Sequence, residues 1–185
     1  MVTAEYRLRN FYIYDDLATF PDDGKRREII DGDLVVNAAP VPRHQRVSRN
    51  LQRILDSHLV RSGQGELFNA PIDVRLGEDV FEPDLLVVVP GAQARVAQKY
   101  IEGPPALVVE ILSPSSSEWD RGRKATAYAR HGIREYWILD PDRRLLERFV
   151  LRNGAYARDA SQGSGTVETP LLPGLRVPLE EVWAD

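Results

Sequence analysis

The 185-residue chain contains no cysteine. That excludes disulfides, zinc–thiolate centres and cysteine nucleophiles. Histidine is scarce: His44, His58 and His131 stand far apart, with no HExxH pattern and no His-rich tract. No apolar run reaches membrane-spanning length, so no membrane span is expected. The opening residues, Met1-Val-Thr-Ala-Glu-Tyr-Arg-Leu-Arg9, lack the apolar centre of a signal peptide. A cytoplasmic location fits these absences. Positive charge is also short, for the net charge is −4. This is not the signature of a tight, sequence-independent nucleic-acid binder. A local basic groove remains open, because the position of charge matters more than its sum.

Hydrophobic residues make up 43% and charged residues 28%, an ordinary globular mix. The length and the lack of any repeat or low-complexity linker suit a single domain over residues 1–185. Asp15-Asp-Leu-Ala-Thr-Phe-Pro21 reads as a short helix stopped by proline. Asp31-Gly32 between two β-prone runs, Arg27–Asp31 and Asp33–Asn37, predicts a hairpin. From Arg43 to Arg61 the apolar residues Val47, Leu51, Ile54, Leu55 and Leu59 recur with helical spacing, and Gly63 is a stop. Leu67-Phe68 and Ile72–Leu76 read as strands.

Two nearly all-apolar runs, Leu85–Val89 and Ala106–Val109, predict central strands covered on both faces. The polar stretch between them, Gly91 to Gly103, is expected to be a loop with a short helix. Ser117 to His131 predicts a helix, Glu135–Asp140 a core strand, and Arg144–Leu151 with Ala155–Ala157 a meander around Asn153-Gly154. The Pro- and Gly-rich tail, Gly163 to Asp185, carries enough apolar residues to pack on the body. The order of elements predicts an α/β (α+β) fold around a mixed sheet.

Each of two expected core strands carries an acid: Asp84 opens one, and Glu110 interrupts Ala106-Leu-Val-Val-Glu-Ile-Leu112. A buried carboxylate must be paired, protonated or metal-bound. Two carboxylates on adjacent strands repel unless a cation lies between them, and oxygen-only ligation suits Mg²⁺ or Mn²⁺. Such an ion can activate water and stabilise charge on a phosphate. Bland readings stand beside this one. Asp84 in Pro83-Asp84 can be a turn residue, and Glu110 can be salt-bridged to a buried Arg or Lys. Lys124 can pair with Asp120 on a helix surface. Yet helical period also puts Asp120, Lys124, Tyr128 and His131 near one stripe, and a short Ser-Pro-Ser-Ser-Ser loop would fold that helix back beside the Glu110 strand. Glu28 reads as an exposed strand residue or as a third carboxylate that adds a metal ligand. Arg43-His44-Gln45 can contact phosphate or cap its helix.

At these residues the sequence resembles the Uma2 family of restriction-endonuclease-like proteins. The segments that carry the resemblance occur in order: Glu28-Ile-Ile-Asp-Gly-Asp-Leu34, Ala39-Pro40 with Arg43-His44-Gln45, Ala70-Pro-Ile-Asp-Val-Arg-Leu76, and Pro83-Asp-Leu85. Pro105-Ala-Leu-Val-Val-Glu-Ile-Leu-Ser-Pro114, Asp120 with Lys124 and Tyr128, and Gly132–Pro141 follow. The resemblance implies a PD-(D/E)XK nuclease fold, a mixed four-stranded core sheet flanked by helices, with added hairpins. It implies that Asp84 and Glu110 bind Mg²⁺ and that Ile111 lends a backbone carbonyl. The superfamily's lysine, two residues after the Glu, is replaced here by Leu112. The resemblance implies that Lys124, on the following helix, takes that role and that Glu28 is an extra acidic member.

The expected function is a Mg²⁺-dependent endonuclease acting on DNA, with Asp84, Glu110, Lys124 and Glu28 as its catalytic set. A catalytically weak or inactive nucleic-acid-binding protein on the same fold is the alternative. A metal-dependent hydrolase of a smaller phosphoester is a third reading. A homodimer would place two active sites on the two strands of a duplex, by analogy.

Overall fold

The computed structural model describes residues 11–113 and 117–184. The N-terminal segment and the Pro114–Ser116 part of the serine-rich loop lie outside the described residues. In chain order the elements are α1 (Tyr14–Leu17), β1 (Arg26–Ile30), β2 (Asp33–Asn37), α2 (Pro42–Ser62), β3 (Glu66–Asn69), β4 (Asp73–Leu76), β5 (Asp79–Phe81) and β6 (Leu85–Val88). Next come β7 (Arg95–Val96), β8 (Tyr100–Glu102), β9 (Leu107–Ile111), α3 (Ser117–Trp119), a π-helical turn (Asp120–Lys124) and α4 (Ala125–Arg130). The chain ends with β10 (Glu135–Asp140), β11 (Leu145–Arg152), β12 (Ala155–Gln162), β13 (Thr166–Val167), β14 (Val177–Pro178) and α5 (Leu179–Val182).

The main sheet has the order β12-β11-β10-β9-β6-β3. Its centre is mixed, for β9 runs parallel to β10 and antiparallel to β6. Parallel neighbours require a long crossover, and the helical stretch from α3 to α4 supplies it. A helix leaving the end of β9 must therefore cross the face of the sheet that β9 belongs to. This fixes the neighbourhood of Glu110.

Alternation along the central strands divides the interior in two. Leu85, Val87, Leu107, Val109 and Ile111 face one core, completed by the α2 stripe Val47, Leu51, Leu55 and Leu59. Leu86, Val108 and Leu112 face the other, with Tyr128, Tyr136 and Ile138. Both strands are thus covered on both faces, as their composition predicts. The expected packing of the tail is also found: Leu172, Leu175, Val177, Leu179, Val182 and Trp183 join the α2 core.

The second core is closed by another six-stranded sheet, in the order β2-β1-β5-β4-β8-β7. The hairpin of β1 and β2 turns through Asp31 (φ 54°) and Gly32 (φ 80°), the left-handed pair that a tight two-residue turn demands. Sequence reading expects hairpins appended to one sheet rather than a second sheet, and a loop with a short helix over residues 91–103. That stretch instead forms β7 and β8. Ile101 of β8 is fully buried, and β8 runs parallel to β4. Strands of two or three residues show no alternation, and their pairing is non-local, so no local signal marks them.

The expected helix from Ser117 to His131 is broken in character by the π turn. Such turns are rare and concentrate at functional sites. The turn ends at Lys124.

Candidate active site

The three expected carboxylates occupy places that strand geometry reserves for apolar side chains. Glu28 shares a strand face with Ile30, Asp84 with Leu86, and Glu110 with Val108 and Leu112, all four apolar residues in the second core. The register of β6 and β9 sets Leu85 opposite Val109; one step further, Asp84 comes opposite Glu110. All three acids are buried: Glu28 is 0%, Asp84 4% and Glu110 3% exposed. The reading of Glu28 as an exposed strand residue therefore gives way. The fold places it on the inner face of β1, against the core.

Asp84 is held from three sides. Its Oδ2 accepts from the backbone N–H of Ile111 (2.8 Å) and faces Nε2 of His44 (3.0 Å), while Oδ1 accepts from Arg26 (3.0 Å). Burial pushes this carboxyl up, but the His44 contact, the Arg26 charge and the Ile111 N–H outweigh it and hold it below its ordinary value. In an extended strand a residue's N–H and C=O leave on the same side. The Ile111 carbonyl is thus directed to the side where Asp84 lies.

Glu110 accepts from Lys124 Nζ (3.0 Å) and from the Tyr128 hydroxyl (2.7 Å). Burial raises its carboxyl well above the ordinary value; Lys124 opposes this, and the charges of Asp120, Asp84 and Glu28 add to it. Lys124 is 4% exposed, so it is no surface residue. Its ammonium lies 2.9 Å from Glu28 Oε2 and 3.5 Å from Asp120 Oδ1 as well. Burial pulls its pKa down, but Glu110, Glu28 and Asp120 outweigh burial and keep it charged. Glu28 is fixed in turn by Asn37 (2.7 Å) and by the backbone N–H of Glu82 (2.8 Å). Leu112, at the position of the superfamily lysine, packs into the apolar core instead.

The expected helical stripe is mostly realised. Asp120, Lys124 and Tyr128 meet at Glu110, whereas His131 turns to Asp79 (2.7 Å). The Arg43-His44-Gln45 alternatives are resolved residue by residue: His44 reaches Asp84, and Arg43 pairs with Asp142 at 2.8 Å. Sequence reading misses Arg26, Asn37 and Glu82, since each arrives through tertiary packing with no motif of its own. Glu82, beside Arg26, is pushed up to about 7 by burial.

A cavity of about 20 Å³, lined by Asp84, Glu110, Ile111, Lys124, His44 and Arg26 among others, lies between these groups. It admits a water- or ion-sized guest. Among the described residues no three His, Asp or Glu side chains converge in metal-binding geometry. The expected set needs only two side chains and one carbonyl, because Mg²⁺ keeps several waters. The charge balance fits such an ion. Five buried carboxylates, Glu28, Glu82, Asp84, Glu110 and Asp120, surround two fixed cations, Arg26 and Lys124. A divalent cation would offset that acidic excess, and the donors are hard oxygens.

A mixed sheet with acids on neighbouring central strands, covered by a crossover helix that brings a lysine, defines a restriction-endonuclease-like protein. A solved structure described as "a putative nuclease belonging to DUF820 from Anabaena variabilis ATCC 29413" superposes with a TM-score of 0.76, over 93% of this chain and 97% of that one. At 18% identity this likeness establishes the fold. The chain belongs to the Uma2 family, described as "Putative restriction endonuclease", whose family model matches residues 14–180. Two uncharacterized proteins of Synechocystis sp. (strain ATCC 27184 / PCC 6803 / Kazusa) are similar to it. One, sll1609, is 27% identical over 121 residues, 63% of this chain and 67% of the relative. The other, slr1290, is 27% identical over 117 residues, 62% of this chain; that match spans 60% of the relative's own length.

Proposed function

We propose that the chain is a Mg²⁺-dependent endonuclease that hydrolyses phosphodiester bonds in DNA. The observation that carries this reading is the register of β6 and β9, which sets Asp84 against Glu110 while the ammonium of Lys124 stands 3.0 Å from Glu110. Asp84, Glu110 and the Ile111 carbonyl would hold the cation. Bound there, it supplies Lewis acidity and neutralises charge on the phosphate.

The chain's own residues do the rest. Lys124 orients the attacking water and donates to the phosphate as negative charge builds on it. Its three donor hydrogens face Glu28, Glu110 and Asp120, so this task requires that at least one of them be released to water or phosphate. His44 and Arg26 fix the angle of Asp84, and the Tyr128 hydroxyl fixes Glu110, as outer partners of metal-binding carboxylates do. Mn²⁺ fits the same donors.

Lys124 lies buried under three carboxylates, which favours a second reading: a nucleic-acid-binding protein of the same fold with little or no catalysis. One experiment separates the two. Purified protein is incubated with mixed DNA and RNA substrates with and without Mg²⁺, alongside Asp84→Ala and Lys124→Ala. Metal-dependent cleavage of DNA that both substitutions abolish is expected. Binding without cleavage would select the second reading, and equal residual activity in all three proteins would mark a contaminant.

A further inference from the structure

The net charge of −4 conceals a strong asymmetry. Helix α2 carries five arginines, Arg43, Arg46, Arg49, Arg53 and Arg61, against one acid, Asp56. Its excess is therefore +4, while the remainder of the chain is correspondingly more acidic. Arg43 is neutralised by Asp142. Among the described residues no acid pairs with Arg49, Arg53 or Arg61, and all three are exposed. Unpaired arginines concentrated on one side of a helix in an acidic protein mark a surface kept for an anionic partner.

The position of this helix relates the surface to the candidate active site. Its first turn delivers His44 to Asp84. Arg49, Gln45, Ser48 and Gln52 line a groove of about 280 Å³ together with Arg26, Glu82 and Asp84. Further along, Arg53 and Arg61 line a second depression of about 410 Å³ with Glu181, with Arg176, which is paired with Glu168, and with His58, whose Nε2 is buried without a hydrogen-bond partner. Arg49 and Arg61 are twelve residues apart, about 18 Å along the helix axis. One strand of a duplex advances about 3.4 Å along the duplex axis per phosphate, so a duplex lying along α2 presents about five phosphates of that strand over this length. Arginine forks are suited to phosphate oxygens.

We infer that the exposed face of α2 is the track along which the sugar-phosphate backbone of DNA runs into the candidate active site, with Arg49, Arg53 and Arg61 as its phosphate contacts. This rests on the nuclease reading for its choice of partner. The contacts are to backbone, so they carry affinity and no base preference. Gln45 and Ser48, which line the same groove as Arg49 and Asp84, would hold the strand next to the cleaved bond.

The test is equilibrium binding of a fluorescent DNA duplex to the whole chain in EDTA, which prevents metal-dependent cleavage, across a series of salt concentrations. The wild type is compared with Arg49→Gln/Arg53→Gln/Arg61→Gln, with the triple Arg→Lys variant, and with Arg95→Gln on edge strand β7. The glutamine variant is expected to weaken binding equally for unrelated sequences. It is also expected to reduce the slope of log affinity against log salt by about 2.7, three contacts at about 0.9 each. The lysine variant keeps most of the slope, and Arg95→Gln matches the wild type. An unchanged slope in the glutamine variant would overturn the proposal. So would a wild type that binds anionic phosphatidylserine vesicles but no duplex. Mg²⁺-dependent cleavage is measured on the same proteins. If no protein cleaves while the slopes change as expected, the nuclease reading fails and the binding track stands. If the glutamine variant binds and cleaves like the wild type, the track fails and the nuclease reading stands.

Discussion

Replacing Lys124 by methionine removes a buried cation and keeps a side chain of similar reach. In the wild type the ammonium lies 2.9 Å from Glu28, 3.0 Å from Glu110 and 3.5 Å from Asp120. At an effective dielectric of about 20, unit charges 3 Å apart interact by about 5.5 kcal/mol. The measurable loss is smaller, because the carboxylates relax and take up protons. Breaking a buried pair costs about 3–5 kcal/mol, a large part of the roughly 5–15 kcal/mol that holds a typical domain folded. In a chain of this size that lowers the melting temperature by about 6–20 °C.

The loss should depend on pH in a defined direction. Glu110 already has a raised carboxyl pKa, and removing Lys124 raises it further. The folded variant then binds protons more tightly than the unfolded chain, so its stability rises as the pH falls and drops as the pH climbs. Urea unfolding of wild type and Lys124→Met in EDTA, at pH 5.5 and pH 8, measures both effects. Adding Glu28→Gln to Lys124→Met removes one of the stranded charges and should recover part of the loss. Adding Mg²⁺ should stabilise the methionine variant more than EDTA buffer does. If Lys124→Met unfolds within about 0.5 kcal/mol of the wild type at both pH values, the size of an ordinary surface substitution, the ammonium is not buried among carboxylates and the site as described is wrong.

Three further outcomes are expected. Tyr128→Phe deletes the 2.7 Å hydrogen bond to Glu110 and should lower Mg²⁺ affinity or activity roughly 10–100-fold, as loss of outer partners of metal ligands does; a Mg²⁺ titration of cleavage rate checks it. Asp79→Asn weakens the contacts to Arg130, His131 and the Asp31 N–H and should cost about 1–3 kcal/mol at pH 7. Burial pushes the Asp79 carboxyl up, yet those partners outweigh it and lower its pKa. Its stabilisation is therefore present above its unfolded value near 4 and lost as the pH falls through its folded value; acid-unfolding curves of wild type and Asp79→Asn should converge in that range. Leu172→Ala removes a fully buried tail side chain and should cost about 2–5 kcal/mol in urea unfolding, whereas a tail lying loosely on the body would lose almost nothing.

The residues that announce the site in the sequence are those that violate a pattern. Glu110 stands inside an apolar strand, and Asp84 opens another; both anomalies are visible because strands alternate and cores exclude charge. The helical spacing of Asp120, Lys124 and Tyr128 is equally local, and it places three partners of one site on one stripe. The hairpin at Asp31-Gly32, the α2 stripe and the two central strands follow from period and turn chemistry alone. What could not be read locally is what depends on pairing distant segments. The second sheet is built from strands of two to five residues, too short for most of them to carry a period. Arg26, Asn37 and Glu82 enter the site only because that sheet closes over the face of the first.

Local composition therefore determined which residues would be costly to bury, and so named Asp84 and Glu110. The tertiary structure decided how that cost is met. The parallel β9–β10 crossover carries Lys124 across the sheet to Glu110, and the second sheet brings Glu28 to the other side of the ammonium. Charge pairing acts through space over a few ångströms, while sequence orders residues along the chain, so only the folded chain could show that Lys124 and Glu28, 96 positions apart in the sequence, form one buried ion pair.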